Sequence, residues 1–129
     1  MGTLASFAVA ETDTTTDLPP AQAAELARDR GAKLIDVRGL DEHEAGHVPG
    51  DTAIPFDQLK ERAAELPQDA PVVFYCRSGD RSSAAVQAFR ASGYDAYSIE
   101  GGLLAWAEQG LPLEPEGGQV SEQHSLPPA

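Results

Sequence analysis

Residues 72–89 read VVFYCRSGDRSSAAVQAF, and the fold turns on how this stretch divides. Val72, Val73, Phe74 and Tyr75 are a short run of β-branched and aromatic residues, the composition of a strand. No polar residue interrupts the run, which predicts a central parallel strand covered on both faces. From Asp80 onward, small and apolar residues recur at helical spacing until Gly93 ends the pattern. Between strand and helix lies a polar hinge that holds the chain's single cysteine, Cys76, with Arg77 and Arg81 on either side of Gly79.

The same alternation extends in both directions. Upstream, PPAQAAELARDRG predicts a helix with proline at its start and Gly31 as its stop. AKLIDVRG then predicts a strand with Asp36 and Arg38 at its C-terminal end, and LDEHEAG a brief acidic helix. HVPGDTAIPF holds a Pro-Gly turn and a short strand. FDQLKERAAELPQ is expected to be an amphipathic helix, because Phe56, Leu59 and Ala63 fall on one face. Downstream, YDAYSIEGG is a strand closing on Gly101 and Gly102, and LLAWAEQGLPL a last helix with Trp106 as a core anchor. Strand and helix in alternation imply an α/β fold, a parallel sheet with helices on both faces. Functional groups in such sheets gather beyond the C-terminal ends of the strands, where Cys76, Asp36, Arg38 and the glycine pair all lie.

Composition narrows the function classes. A chain of 129 residues with 41% hydrophobic and 23% charged residues is one ordinary globular domain rather than a disordered segment. Residues 1–11 are expected as a flexible N-terminal segment, 12–113 as the domain and 114–129 as a flexible tail. The formal net charge of −12 argues against nucleic acid and anionic membrane as partners. Lys33 and Lys60 are the only lysines, a balance that suits either a high-salt cytoplasm or ordinary solubility. One cysteine excludes an internal disulfide and a Cys-only metal site. The start MGTLASFAVA fits the M-G-x-x-x-S myristoylation pattern, but no basic patch supplies a second anchor, so chance explains the match. With no apolar stretch long enough to span a membrane and no basic secretory start, a cytoplasmic protein is expected.

A lone cysteine after an apolar run is often an inert core residue. The residues that follow here, CRSGDRSS, are too polar to continue a core. Successive backbone N–H groups ahead of a helix N-terminus form an anion-binding concavity. A sulfur placed there gains the helix dipole as well as Arg77 and Arg81, surroundings that favour a thiolate. Thiolate supply alone is not catalysis, so the loop must also hold an anionic substrate in line with the sulfur.

CRSGDRS resembles the active-site loop of the rhodanese sulfurtransferases, close to C-R-x-G-x-R-[ST]. LIDVRGLDEHEAGHVPGDTAIP is similar to that family's D-V-R…E-(aromatic)-x-x-G-H-I-P-G-A segment, and EGGLLAW to its G-G-x-x-x-W segment. The three ordered motifs cover residues 34–106. Two departures stand out: His43 replaces the usual aromatic and Asp51 the usual alanine, which bears on local packing rather than on the thiol loop. The resemblance implies a rhodanese-like parallel sheet and a nucleophilic Cys76 that takes the outer sulfur of thiosulfate or a similar donor as a persulfide. Loop N–H groups of Arg77, Ser78, Gly79, Asp80, Arg81 and Ser82 would bind substrate and stabilise the charge, with no metal or organic cofactor. Cyanide or a thiol, including one on a partner protein, would collect the sulfur.

The remaining polar residues have plainer readings. Asp36 and Arg38 could line the site, but an ion pair fixing the strand end is favoured. His47 in GHVPG is read as structural, since persulfide transfer needs no general base. His43 and His124 have no metal-ligand spacing to other candidates, and Asp80 is expected to cap the helix that follows. Two competing functions remain. A cysteine phosphatase or arsenate reductase would carry H-C-x5-R, whereas Cys76 to Arg81 is C-x4-R with Tyr75 in place of the histidine. A persulfide carrier or redox-sensing module would keep Cys76 but not turn over thiosulfate.

Overall fold

The computed structural model describes residues 16–121. Five strands form one parallel sheet: β1 (Asp17–Leu18), β2 (Lys33–Asp36), β3 (Thr52–Ala53), β4 (Val72–Tyr75) and β5 (Ala96–Ile99). Their spatial order is β1-β5-β4-β2-β3, which puts β4 at the centre. Helices α1 (Pro20–Arg30), α2 (Leu40–Ala45), α3 (Asp80–Ala91) and α4 (Gly102–Glu108) connect or follow the strands. The expected α/β class and parallel sheet are found. None of the helices is long and apolar enough to cross a membrane, among the described residues. The segment 1–11, the myristoylation-like start and His124 lie outside the described residues.

The unbroken apolar run of β4 is explained by the layers on either side. Val72 and Phe74 pack into a cluster with Ile35, Val86 and Phe89, on the face that α3 covers. Val73 and Tyr75 point the other way, into a cluster with Ala23, Leu103 and Trp106 from α1 and α4. All four side chains are fully buried, each worth about 1.5–3 kcal/mol of apolar burial. Pairing sets Ile35 beside Phe74 and Asp36 beside Tyr75, so β2 and β4 end at one level. Cys76 therefore emerges from the most firmly held strand of the sheet.

One expected helix is absent. Residues 56–66 form two 3₁₀ turns, Phe56–Gln58 and Ala63–Glu65, rather than one amphipathic α-helix. Pro55 and Pro67 confine the segment, and it must carry the chain from edge strand β3 back to central strand β4. Leu59 and Leu66 still bury, while Phe56, expected on the buried face, is 42% exposed.

The chain beyond Glu114, expected as a flexible tail, is bonded to the domain as far as Ser121. Glu114 forms a two-way backbone bridge with His47, at 2.8 and 2.9 Å. The Gln119 N–H then donates to the Ala45 carbonyl at 2.8 Å. Composition rich in Pro, Gly and Glu does not reveal such backbone bonds.

Candidate active site

Three elements build the loop after β4. Gly79 adopts φ 113°, a conformation that side chains other than glycine's resist, and turns the chain into the 12-residue helix α3. From below, the first amides of α4 hold the loop: Leu103 N–H donates to the Cys76 carbonyl at 2.9 Å and Leu104 N–H to the Arg77 carbonyl at 3.1 Å. Gly102 makes that approach practicable, since a Cβ there would lie 2.4 Å from the Arg77 carbonyl oxygen. The glycine pair after β5 is thus the seat on which the thiol loop rests.

Cys76 is 1% exposed, its sulfur recessed within the loop. The Gly79 N–H donates to Sγ at 3.1 Å, and Ser82 Oγ lies 3.7 Å from the sulfur. Ser82 is buried in the first turn of α3, donates to the Gly79 carbonyl at 3.2 Å, and meets Ser98 Oγ at 3.0 Å. Cys76, Gly79 and Ser82 are thus brought together, and Ser98, which the sequence reading missed, supports them from β5. Its signal was only a polar residue in an otherwise apolar strand.

The two loop arginines bond to partners other than the sulfur. Arg77 Nε–H donates to the Ser121 carbonyl at 3.0 Å. Arg81 Nη1 sits 3.6 Å from the carboxylate of Glu42, which is 1% exposed and also accepts the Gly39 N–H at 2.9 Å. Glu42 was another residue the sequence did not single out. Asp80 corrects a further expectation: Gly79 occupies the cap position, Asp80 is the first helical residue, and its exposed side chain makes no cap bond. With Ser78, Gly79, Ser83 and Ser98 it lines a shallow hollow of about 130 Å³ beside the loop.

Asp36 and Arg38 do not touch the thiol. Arg38 donates through Nε and Nη2 to the two Asp36 oxygens at 2.9 and 2.7 Å, and through Nη2 to the Gly46 carbonyl at 2.7 Å. Both side chains are fully buried. Burial opposes the Arg38 charge, but the Asp36 carboxylate outweighs it and holds the guanidinium charged. The pair pins the end of β2 to the turn after α2.

His43, which the sequence leaves without metal-ligand spacing, has close partners in the fold. Its Nδ1 lies 2.9 Å from Asp36 Oδ2 and 3.7 Å from Asp51 Oδ2, and its ring stacks on His47 at 3.8 Å with a 13° tilt. His43, His47 and Asp51 bring potential ligand atoms within 4.8 Å of one another. Yet stacked imidazoles aim their in-plane lone pairs along parallel planes, and each Nδ1 already has an oxygen partner. The cluster fits a hydrogen-bonded stack better than a metal centre. It also accounts for both departures from the motif, because His43 retains a flat ring and Asp51 accepts the Tyr75 O–H at 2.6 Å.

Burial pushes the Asp51 carboxyl above the usual carboxylate range, although the Tyr75 bond pulls the other way. Burial also drives the Tyr75 phenol far above its ordinary value, so it stays protonated. The folded state thus holds the Asp51 proton to higher pH than the unfolded state, and stability from this group falls as pH rises through the raised value. Below about pH 4 both states are protonated and the penalty vanishes. Asp51→Asn keeps an acceptor for Tyr75 without the charge. It is expected to melt above the parent protein at pH 7 and level with it near about pH 3; a gain equal at every pH would assign the effect to packing.

The family model for the rhodanese-like domain matches residues 19–109. The chain belongs to the rhodanese family. The chain is 34% identical over 95 residues to the thiosulfate sulfurtransferase GlpE of Pseudomonas paraeruginosa, covering 73% of this chain and 86% of that protein. It is 44% identical over 78 residues to the uncharacterized protein YqhL of Bacillus subtilis, covering 60% of this chain and only 62% of YqhL. Among solved structures, a rhodanese-related protein from Thermoplasma volcanium superposes with a TM-score of 0.72 at 29% identity, over 78% of this chain and 98% of that one. The rhodanese-like domain and the relatives named as sulfurtransferases place the chain in a sulfurtransferase-type family.

Proposed function

We propose that this rhodanese moves a sulfane sulfur from thiosulfate, or a similar anionic donor, to cyanide or a thiol through a persulfide on Cys76. The observation that carries the reading is the Cys76 sulfur, held at the N-terminus of α3 and accepting the Gly79 N–H at 3.1 Å. The Cys76 thiolate attacks the outer sulfur of thiosulfate, a new S–S bond forms, and sulfite leaves with the electrons of the old one. The persulfide's terminal sulfur keeps the negative charge, which the loop amides and the helix dipole stabilise. Cyanide then attacks that sulfur, and thiocyanate departs as the Cys76 thiolate returns. Charge balances in both halves, and no base or cofactor is required.

Ser82 has a part in this cycle. Its single hydroxyl proton serves the Gly79 carbonyl in the resting loop, while the sulfur lies at 3.7 Å. Rotation of that hydroxyl would supply a donor when the sulfur is anionic. The direct test is intact-protein mass spectrometry. Thiosulfate is expected to add the mass of one sulfur atom, and excess cyanide to remove it with release of thiocyanate. A protein that loads sulfur but discharges it only to a protein thiol would be a carrier, and one that never loads would refute the reading.

A further inference from the structure

The segment 114–121 lies beyond the matched residues 19–109, yet it ends on the thiol loop. It begins with the two-way bridge between Glu114 and His47. A tight turn follows, with Gly118 N–H donating to the Pro115 carbonyl at 2.7 Å. The backbone then crosses the turn after α2 at very close range. A Cβ on Gly46 would meet the Gln119 carbonyl oxygen at 2.3 Å, and one on Gly118 would meet the Ala45 carbonyl oxygen at 3.1 Å. The glycine at position 46 is not required by its backbone, since φ 173° is open to any residue. What excludes a side chain there is the crossing segment itself. Past the crossing, the Ser121 carbonyl accepts the Arg77 Nε–H at 3.0 Å.

That last bond differs in kind from the one at the other loop arginine. Arg81 faces the buried carboxylate of Glu42, so its charge is compensated within the fold. Arg77 is held by a neutral carbonyl, and among the described residues no carboxylate pairs with it. A guanidinium has five N–H donors, and one bond from Nε fixes its direction while four remain. In a chain of net charge −12, a dianionic donor is repelled at long range and needs a fixed cation nearby.

We propose that 114–121 is a strap belonging to the active site, which positions Arg77 as a fixed cation in the thiol loop, unpaired with any carboxylate among the described residues, and so selects anionic sulfur donors. The identity of the chemistry rests on the persulfide reading above; the strap's hold on Arg77 does not. Arg77 is a positioning target rather than a nucleophile, and the strap acts through it.

Full-length Gly46→Ala is the test, because the new methyl collides with the strap and demands no change of backbone conformation. Gly118→Ala disturbs the strap from its own side, since a Cβ there would meet the Pro115 carbonyl oxygen at 2.8 Å as well as the Ala45 carbonyl oxygen at 3.1 Å. Both are expected to raise KM for thiosulfate roughly three- to tenfold with kcat nearly unchanged, the factor for reordering one long side chain on binding. In an Arg77→Ala background the same substitutions should add nothing further. The Arg77 Nε–H proton resonance, assigned by its loss in Arg77→Ala, should exchange slowly with water in the parent and fast in Gly46→Ala. That readout holds whether or not Cys76 ever carries sulfur. Unchanged exchange and KM would overturn the proposal. So would a KM increase that persists without Arg77, and a fall in KM would mean that the strap masks the cation instead.

Discussion

Cys76→Ser is expected to bring thiosulfate-to-cyanide transfer down to the uncatalysed background while leaving the protein folded. The two outcomes are separable because the site can accommodate a hydroxyl. Gly79 N–H, which donates to Sγ in the parent, can donate to a serine oxygen, and Ser82 Oγ is at hand as an acceptor. A buried serine with two partners costs little. Catalysis has no such substitute. Oxygen at this position is a hard, weakly acidic nucleophile, and it cannot store a sulfane sulfur as a persulfide anion. Removing the nucleophile of a hydrolase lowers kcat by about 10⁶, and a comparable loss here would be undetectable in a thiocyanate assay. Circular dichroism and a melting scan would confirm the fold alongside the kinetics. A serine variant that made thiocyanate at the parental rate would remove Cys76 from the mechanism.

The thiol loop was readable because each of its parts obeys a local rule. Four apolar residues in a row announce a strand covered on both faces, and β4 is buried on both. A polar hinge followed by helical spacing announces a βα turn, and Gly79 makes that turn with positive φ. The glycine pair was legible only as the end of a strand; that Gly102 lies against the Arg77 carbonyl depends on how α4 packs under the loop. What the loop's side chains do was less legible, because it depends on partners remote in sequence. Arg77 and Arg81 carry the same charge and flank the same glycine, yet one is bound to Ser121 and the other to Glu42.

The same distinction explains the other differences. The period of Phe56, Leu59 and Ala63 is that of an α-helix, but between Pro55 and Pro67 the chain forms only two short 3₁₀ turns, which bury Leu59 and Leu66 and leave Phe56 exposed. His43 and Asp51 looked like two unrelated departures from a motif. They occupy one cluster with Tyr75 and His47, so each makes sense only beside the others. Segment 114–121 is held by backbone bonds, by glycines that permit contact and by Val120 packed against the Tyr75 and Trp106 cluster, and one apolar residue leaves no periodic pattern to read.

Asp36→Ala should be the most destabilising single substitution on this edge of the sheet. Asp36 and Arg38 are both fully buried, and the Asp36 carboxylate supplies the only charge-balancing pair of bonds to the guanidinium among the described residues. With it gone, Arg38 keeps one bond to the Gly46 carbonyl, and its Nη1 already lacks a partner. A buried charge left unpaired costs about 3–5 kcal/mol, a large share of the 5–15 kcal/mol that holds a typical domain together. Tm should fall by roughly 10–25 °C. The intact pair is not itself a strong source of stability, because bringing both charges out of water cancels much of their attraction. Asp36→Leu with Arg38→Met should therefore melt higher than Asp36→Ala alone, despite removing more bonds. Thermal scans of the three variants decide between these accounts: if the double variant melts lowest, the bonds themselves stabilise the fold and the unpaired charge is not what matters. The consequence reaches the thiol loop, because the carbonyl that Arg38 grips belongs to Gly46, the residue the strap crosses before it meets Arg77.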